Sequence, residues 1–175
     1  MTWTWFAAQI EAALRLLRRE PDAITGFDLS VDGFWRSFVA ALVCLPGFFL
    51  LSPPNDPGFS WPSETLGYVV GWLVFPLVMV PLSRSLGKGE RYVPLVVAIN
   101  WGAVLQMAAF VTAVTLSRLL PQPLGALLVL GTTVVVVLYE WHIVRSALAT
   151  TAGIAAALTA LDLGLGIAVE RAFSG

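Results

Sequence analysis

Asp162 lies near the centre of a long apolar run that extends from Ser146 to Phe173. The length and composition of this run predict a membrane-spanning helix. An ionised Asp at the centre of a span costs about 2.5–3.5 kcal/mol on insertion scales, so its side chain should face protein or water instead of lipid. Carboxylates at such depths mark ion and proton pathways, which makes Asp162 the first candidate for chemistry.

Gln106 is the expected partner of Asp162. It lies near the middle of another apolar segment, and both segments run outward in a five-span topology, so the amide and the carboxyl group reach a similar depth. Two interpretations remain open. The pair forms a structural hydrogen bond, worth about 0.6 kcal/mol on average in membrane bundles, or it forms a proton or ion site.

Asn100 lies roughly 120° from Gln106 on a helical wheel, so it should face a different neighbour. We expect that neighbour to be the helix that contains Pro76 and Pro81, because prolines leave backbone carbonyl groups without their usual donors. This pattern favours a structural role for Asn100. The alternative is a transport site built on a broken helix.

The remaining polar residues indicate no catalytic centre. Glu140 and His142 are two positions apart and therefore point to different sides of a helix, which excludes them as a metal-binding pair. We expect Glu140 to neutralise an Arg at the membrane face and His142 to lie at the interface. No Ser-His-Asp set, phosphate-binding Gly loop or HExxH motif occurs, and no base is expected beside the Ser and Thr of the spans. A single cysteine, Cys44, excludes an internal disulfide. The chain is predicted to be a non-enzyme without cofactor or metal.

Composition explains why lipid is the expected solvent. The 175-residue chain is 58% hydrophobic and 12% charged, whereas charged residues make up about 25% of soluble domains. Too few polar residues remain to cover a soluble surface. A net charge of −1 gives no electrostatic case for nucleic acid.

The predicted fold is all-α, an integral membrane bundle of five transmembrane helices with an N-terminal amphipathic interfacial helix. Residues 1–33 form the cytoplasmic segment, in which Trp and Phe on one face and Arg on the other suit a membrane interface. The alternatives are a cap over the end of the bundle or a partner-binding helix. The spans are predicted at about 34–51, 65–86, 92–119, 124–142 and 147–172. The join near Arg145 contains no Gly or Pro and is the least defined boundary.

The distribution of charge predicts the orientation. With a cytoplasmic N-terminus and five spans, eight basic residues lie on the cytoplasmic side and only Arg118 and Arg171 on the other, in agreement with the positive-inside rule. Nine Arg against one Lys is typical of a GC-rich bacterial genome. We therefore expect a bacterial inner membrane protein with a periplasmic C-terminus. The cytoplasmic set is Arg15, Arg18, Arg19, Arg36, Arg84, Lys88, Arg91 and Arg145.

Small residues predict where helices pack closely, because they let backbones approach each other in lipid. Gly67 and Gly71 have the spacing of a helix-packing motif. The fifth span has two faces with small residues, which predicts neighbours on both sides. One face carries Thr151, Ala155, Thr159, Asp162 and Gly166, and the opposite face carries Gly153, Ala157, Ala160, Gly164 and Ala168.

Two stretches resemble small bacterial relatives of the YIP1-type membrane proteins. They are Phe27-Asp28-Leu29-Ser30-Val31-Asp32-Gly33-Phe34-Trp35-Arg36-Ser37-Phe38 and Tyr92-Val93-Pro94-Leu95-Val96-Val97-Ala98-Ile99-Asn100-Trp101. The topology is similar as well, with a cytoplasmic segment before five closely spaced helices. Because eukaryotic members of that group act as scaffolds in membrane traffic, the resemblance implies a non-enzymatic protein.

The sequence favours a non-catalytic scaffold or accessory subunit, whose partners are the lipid bilayer and another membrane protein or a second copy of the chain. Short loops and small-residue helix faces support this interpretation. The alternative is a small transporter or proton-coupled channel with a midplane site at Asp162 and Gln106.

A topology reporter fused after Gly175 tests the five-span prediction. We expect the reporter to be active only on the periplasmic side, because an odd number of spans separates the two termini. A cytoplasmic C-terminus would refute the count.

Overall fold

The computed structural model describes residues 2–52 and 60–173, and these residues form an all-α structure. Two short 3₁₀ turns, Ala23–Gly26 and Gly89–Arg91, separate longer elements. The predicted all-α class is confirmed. The helices are α1 (Trp3–Leu17), α2 (Val31–Ser37), α3 (Val39–Leu51), α4 (Trp61–Ser85), α5 (Tyr92–Ser117), α6 (Gln122–Ala147) and α7 (Ala152–Phe173).

Five helical stretches are long and apolar enough to cross a membrane, the first of them being α2 and α3 together. Exposed leucines and valines cover the outer surface of these stretches, which suits a multi-pass membrane protein because lipid solvates apolar side chains. Examples are Leu42, Leu77, Leu127, Leu130 and Val135, each at least 59% exposed.

The join between the last two spans differs from the prediction. Helix α6 continues past His142 to Ala147, because Ile143 and Val144 extend its buried face. The chain then reverses through Ala149, which has a positive φ of 46°, and Thr151 Oγ1 accepts a hydrogen bond from the Ile154 amide at 3.3 Å. This turn uses neither Gly nor Pro, which is why the sequence pattern placed it too early.

Helix α5 forms the centre of the bundle. It packs against α2, α3 and α6, and α1 contacts it near one end. Helix α7 packs between α4 and α6. The fully buried core therefore follows α5 and the last turns of α6, and it includes Leu95, Val97, Trp101, Ile143 and Val144.

Hydrogen bonds between loops and helix ends define the two ends of the bundle. At one end Lys88 Nζ donates to the Ala149 carbonyl oxygen at 3.0 Å, and at the other Ser63 Oγ donates to the Phe173 carbonyl oxygen at 2.6 Å. The first end, which we call the basic end, carries eight of the ten Lys and Arg residues. Arg118 and Arg171 lie at the opposite end.

Helix α1 packs against the bundle instead of lying free at its edge. Tyr139 Oη donates to the Ala13 carbonyl oxygen at 2.8 Å, and the rings of Trp5 and Phe6 contact Trp101 at centroid distances of 5.6 and 5.3 Å. Its buried residues are Gln9, Ala12, Ala13 and Leu16, whereas Trp3 is 79% exposed. This packing fits the cap alternative, and contact of α1 with a membrane interface stays a prediction.

A hydrogen-bond network joins α1 to the start of α2. Asp28 accepts from Ser30 Oγ at 2.6 Å and from Trp5 Nε1 at 2.9 Å, and these two bonds lower the pKa of Asp28 from its ordinary value. Ser30 Oγ in turn accepts from the Gly33 amide at 3.0 Å. Any Cβ atom at Gly33 would collide with the Asp28 backbone carbonyl oxygen, so this position requires glycine.

Gly33→Ala should therefore destabilise the protein by about 1–3 kcal/mol, the usual cost of forcing an extra methyl group into a packed site. Gly131→Ala is the matched control, because a Cβ atom there meets nothing within 4 Å. Thermal unfolding in detergent measures both variants. Equal transition temperatures for the two would contradict the close approach of α2 to Asp28.

Candidate functional site: a carboxyl pair in a membrane-level cavity

Two carboxyl groups meet between α6 and α7. The side chains of Glu140 and Asp162 are neighbours, and both line the cavity described below. Two neighbouring carboxyl groups can form a hydrogen bond with each other only when one of them carries a proton, because ionised carboxylates only accept. The described part of the chain therefore holds Asp162 against a second acid rather than against an amide.

Glu140 is 7% exposed, and its Oε1 atom has no hydrogen-bonding N–H or hydroxyl donor among the described residues. An unsatisfied polar atom in a buried position costs about 1–3 kcal/mol, and more when it is charged. Trp101 Nε1 and Thr159 Oγ1 are also buried without a described partner, but neither residue lines the cavity described below. Glu140 is thus the unsatisfied group at the cavity wall.

The structure corrects the expected role of Glu140, which was placed at the membrane face beside an Arg. No described ion pair joins Glu140 to a basic residue. Because α6 ends at Ala147, Glu140 lies seven residues inside the helix, or about 10 Å at 1.5 Å per residue. The unbroken run through Ile143 and Val144 is the sequence signal that would have indicated this depth.

A cavity of about 420 Å³ adjoins the carboxyl pair. Its lining begins at the end opposite the basic end, with Glu64 and Phe173, and continues inward to Asn100 and Ile143. Glu140 and Asp162 both line it. Beyond this depth, towards the basic end, the interior is filled by the buried core. The described lining therefore extends from one end of the bundle to the depth of the carboxyl pair.

The charge of the lining has one sign. Glu64 and Glu170 line the cavity in addition to the carboxyl pair, and none of the lining residues that the structure describes is Lys, Arg or His. Two neighbouring carboxylates repel each other when both are ionised, and a proton or a cation between them relieves that repulsion. The arrangement can therefore bind positive charge.

Gln106 and Asn100 line the same cavity as Asp162, but their hydrogen bonds differ from the predicted ones. Gln106 Nε2 donates to the Val136 carbonyl oxygen at 3.5 Å. Asn100 Nδ2 donates to Ser37 Oγ at 2.8 Å. Depth alone could not identify these partners, because it leaves the rotation of each helix undetermined.

The Pro76 carbonyl oxygen accepts from Tyr92 Oη at 3.2 Å rather than from Asn100. Pro76 nevertheless lines the cavity together with Asn100. Asn100 therefore lines the same cavity as the proline-containing helix. Its side chain, however, donates a hydrogen bond to Ser37 of α2.

The predicted helix-packing residues divide into two groups. A Cβ atom at Gly67 would lie 3.0 Å from Phe173 Cβ, so Gly67 brings α4 close to α7, whereas Gly71 borders open space at the cavity. The other small-residue face of α7 is exposed, and no described helix covers it. Its members are Gly153, Ala157, Ala160, Gly164 and Ala168. The prediction that this face also contacts a helix is not met among the described residues.

The predicted membrane-surface basic residues all lie at the basic end. Arg15 forms an ion pair with Glu20 at 2.9 Å, and Lys88 joins the two loops there. The others are Arg18 and Arg19 in the turn after α1, Arg84 in the last turn of α4 and Arg91 in the turn before α5. This end lies opposite the outermost lining residues of the cavity, Glu64 and Phe173.

One pair at the basic end was missed by sequence reasoning. Ser146 Oγ lies 3.4 Å from His142 Nε2, one helical turn away. This distance is long for a hydrogen bond from a hydroxyl group, and neither residue lines the carboxyl cavity. Ser146 falls in the join between the predicted spans, so the expectation about the Ser and Thr of the spans does not concern it.

Comparisons with protein-family models, with curated proteins and with solved structures found no match to this chain. The geometry of the site is therefore the basis for the functional argument.

Cysteine labelling tests whether water reaches the cavity. In a Cys44→Ala background we expect a charged, membrane-impermeant thiol reagent to label Gly166→Cys, which lies on the cavity wall, and not Gly164→Cys, which is exposed on the opposite face of α7. Labelling is measured by mass spectrometry of protein in nanodiscs. Equal labelling of the two positions would contradict the assignment of the cavity.

Proposed function

We propose that the protein is a small proton-coupled transporter, in which Glu140 and Asp162 carry the coupling proton and the adjoining cavity holds the solute. The observation that carries the proposal is the position of Glu140. Its side chain is almost fully buried, one oxygen lacks a donor, and the residue lines a cavity beside a second carboxyl group. An acid buried in a membrane-spanning helix costs free energy, so its presence is by default taken to indicate a functional site.

A purely structural pair is less consistent with these contacts. A structural carboxyl group gains its stability from donors that satisfy both oxygens, because a partly satisfied buried group is worse than an apolar one. Gln106 has an amide that could serve this purpose, yet its Nε2 atom donates to Val136. The unsatisfied Glu140 oxygen can therefore bind a mobile ligand, and a proton is the smallest such ligand.

The position of the cavity supports a transport cycle. Transporters bind their solutes near the midplane and open to one side at a time. The outermost lining residues, Glu64 and Phe173, lie opposite the basic end, which we place in the cytoplasm by the positive-inside rule. Under this proposal the solute reaches the cavity from the periplasm of a bacterial inner membrane. Pro76 and Pro81 give α4, which forms one wall, two positions at which it can bend.

The scaffold or accessory-subunit function stays a prediction, as do the relation to YIP1-type proteins and the absence of enzymatic activity. The exposed small-residue face of α7 favours a contact with another helix, either of a partner or of a second copy. Such a contact is compatible with transport. A scaffold without transport would have no use for the cavity.

A proteoliposome assay tests the proposal. An entrapped pH indicator reports proton flux under an imposed gradient, while a panel of amines, amino acids, sugars and carboxylic acids is added in turn. We expect at least one solute to accelerate proton flux through the wild-type protein. Glu140→Gln and Asp162→Asn should fold normally and abolish this effect, because a side-chain amide does not titrate as a carboxyl group does.

Glu11→Gln is the control, since Glu11 is exposed on α1 and does not line the cavity. It should transport like the wild type. Solute-dependent flux that survives Glu140→Gln would contradict the coupling role. A complete panel without any flux, together with a stable hetero-complex after purification in mild detergent, would favour the scaffold instead.

A further inference from the structure

The size of the cavity indicates what it binds. A proton needs no cavity, and one water molecule occupies about 30 Å³ of liquid. The cavity beside Glu140 and Asp162 has a volume of about 420 Å³, which lies within the range of small-molecule sites, about 300–1,000 Å³. The occupant therefore has a molecular body several times larger than water.

The charge of the lining restricts the occupant further. Among the described residues, four carboxyl groups on three helices line the cavity, and no basic side chain does. Ionised Glu140 or Asp162 would repel an anion there. Glu140 adds an observation independent of this acidic cluster, because it is 7% exposed and one of its oxygens has no described donor. The occupant should bring a hydrogen-bond donor that carries positive charge.

One side of the cavity, formed by α3 and α4, is aromatic. Phe48, Tyr68, Trp72 and Phe75 line the cavity, with ring centroids 4.6 Å apart between Phe48 and Tyr68 and 6.1 Å apart between Tyr68 and Trp72. Aromatic faces attract cations and pack well against apolar or aromatic groups. The described residues contain no group of three His, Cys, Asp or Glu side chains that could hold a metal ion, so the donor set does not suit a bare divalent cation.

We infer that the cavity binds a small organic amine, whose ammonium group lies against the Glu140–Asp162 pair and whose apolar body packs against the aromatic wall. This inference rests on the proposed function and names its class of solute. An ammonium group supplies the donors that Glu140 lacks. The amides of Asn100 and Gln106 are available at the same cavity for polar groups elsewhere on the ligand.

Isothermal titration calorimetry on the full chain in nanodiscs tests the inference with three probes. They are 2-phenylethylamine, its neutral analogue 2-phenylethanol, and ethylamine, which lacks the ring. Empty nanodiscs correct for partition into lipid. We expect 2-phenylethylamine to bind at least about tenfold more tightly than either of the others, since a charge-assisted hydrogen bond and ring packing each contribute about a factor of ten or more.

Variants separate the two contributions. Glu140→Gln and Asp162→Asn should each weaken binding of 2-phenylethylamine about tenfold or more, and Glu11→Gln should leave it unchanged. Trp72→Leu should weaken binding of 2-phenylethylamine and leave ethylamine unaffected. Thermal unfolding of each variant shows whether it is folded, and two independent carboxyl variants keep the test valid if one fails to fold.

Equal affinity for 2-phenylethylamine and 2-phenylethanol would overturn the inference, as would amine binding that is indifferent to both carboxyl variants. The outcome is distinguishable from failure of the proposed function. Proton-coupled flux of a neutral or anionic solute, without amine binding, overturns the inference alone. Specific amine binding without any proton-coupled flux supports the inference and contradicts the transport function.

Discussion

The proximity of the Glu140 and Asp162 carboxyl groups constrains the helices around them, because two buried acids need compensation for their charge. In a bundle whose outer surface is apolar, polar groups have to find their partners inside. Helices α6 and α7 bring two acids together, and α4 and α5 surround them with amides, aromatic rings and open space. The cavity and the carboxyl pair belong to one arrangement, because a tightly packed apolar site around two acids would leave their charge without any compensation.

The two halves of the bundle differ in packing. The half at the basic end is filled with side chains, whereas the other half contains the cavity. Towards the basic end α1 covers α5 and α6, and large side chains such as Trp101 and Leu148 are fully buried. Towards the other end the cavity is lined by residues of α3, α4, α5, α6 and α7. The half that is packed around Trp101 and Leu148 also carries most of the positive charge.

The sequence predicted the helices well because each span has its own apolar composition, independent of its neighbours. It predicted that Asp162 would face protein, since a lipid-facing carboxylate is too costly. It did not identify Glu140 as the partner. No recognisable turn residue occurs before Ala149, and the predicted span ended at His142, which placed Glu140 at the membrane face instead of inside the bundle. Nor did it predict that Gln106 would face Val136. Such pairings depend on how each helix is rotated, and small residues on both faces of α7 left that rotation ambiguous.

The central claim is that Glu140 and Asp162 share a proton inside the bundle. Infrared difference spectroscopy of the protein in lipid at neutral pH measures this most directly, through the C=O stretching band that only a protonated carboxyl group gives. The account predicts one such band from the wild type, its loss in the double variant Glu140→Gln with Asp162→Asn, and no change in Glu11→Gln. A spectrum in which the wild type lacks the band, so that both acids are ionised and apart, would contradict it.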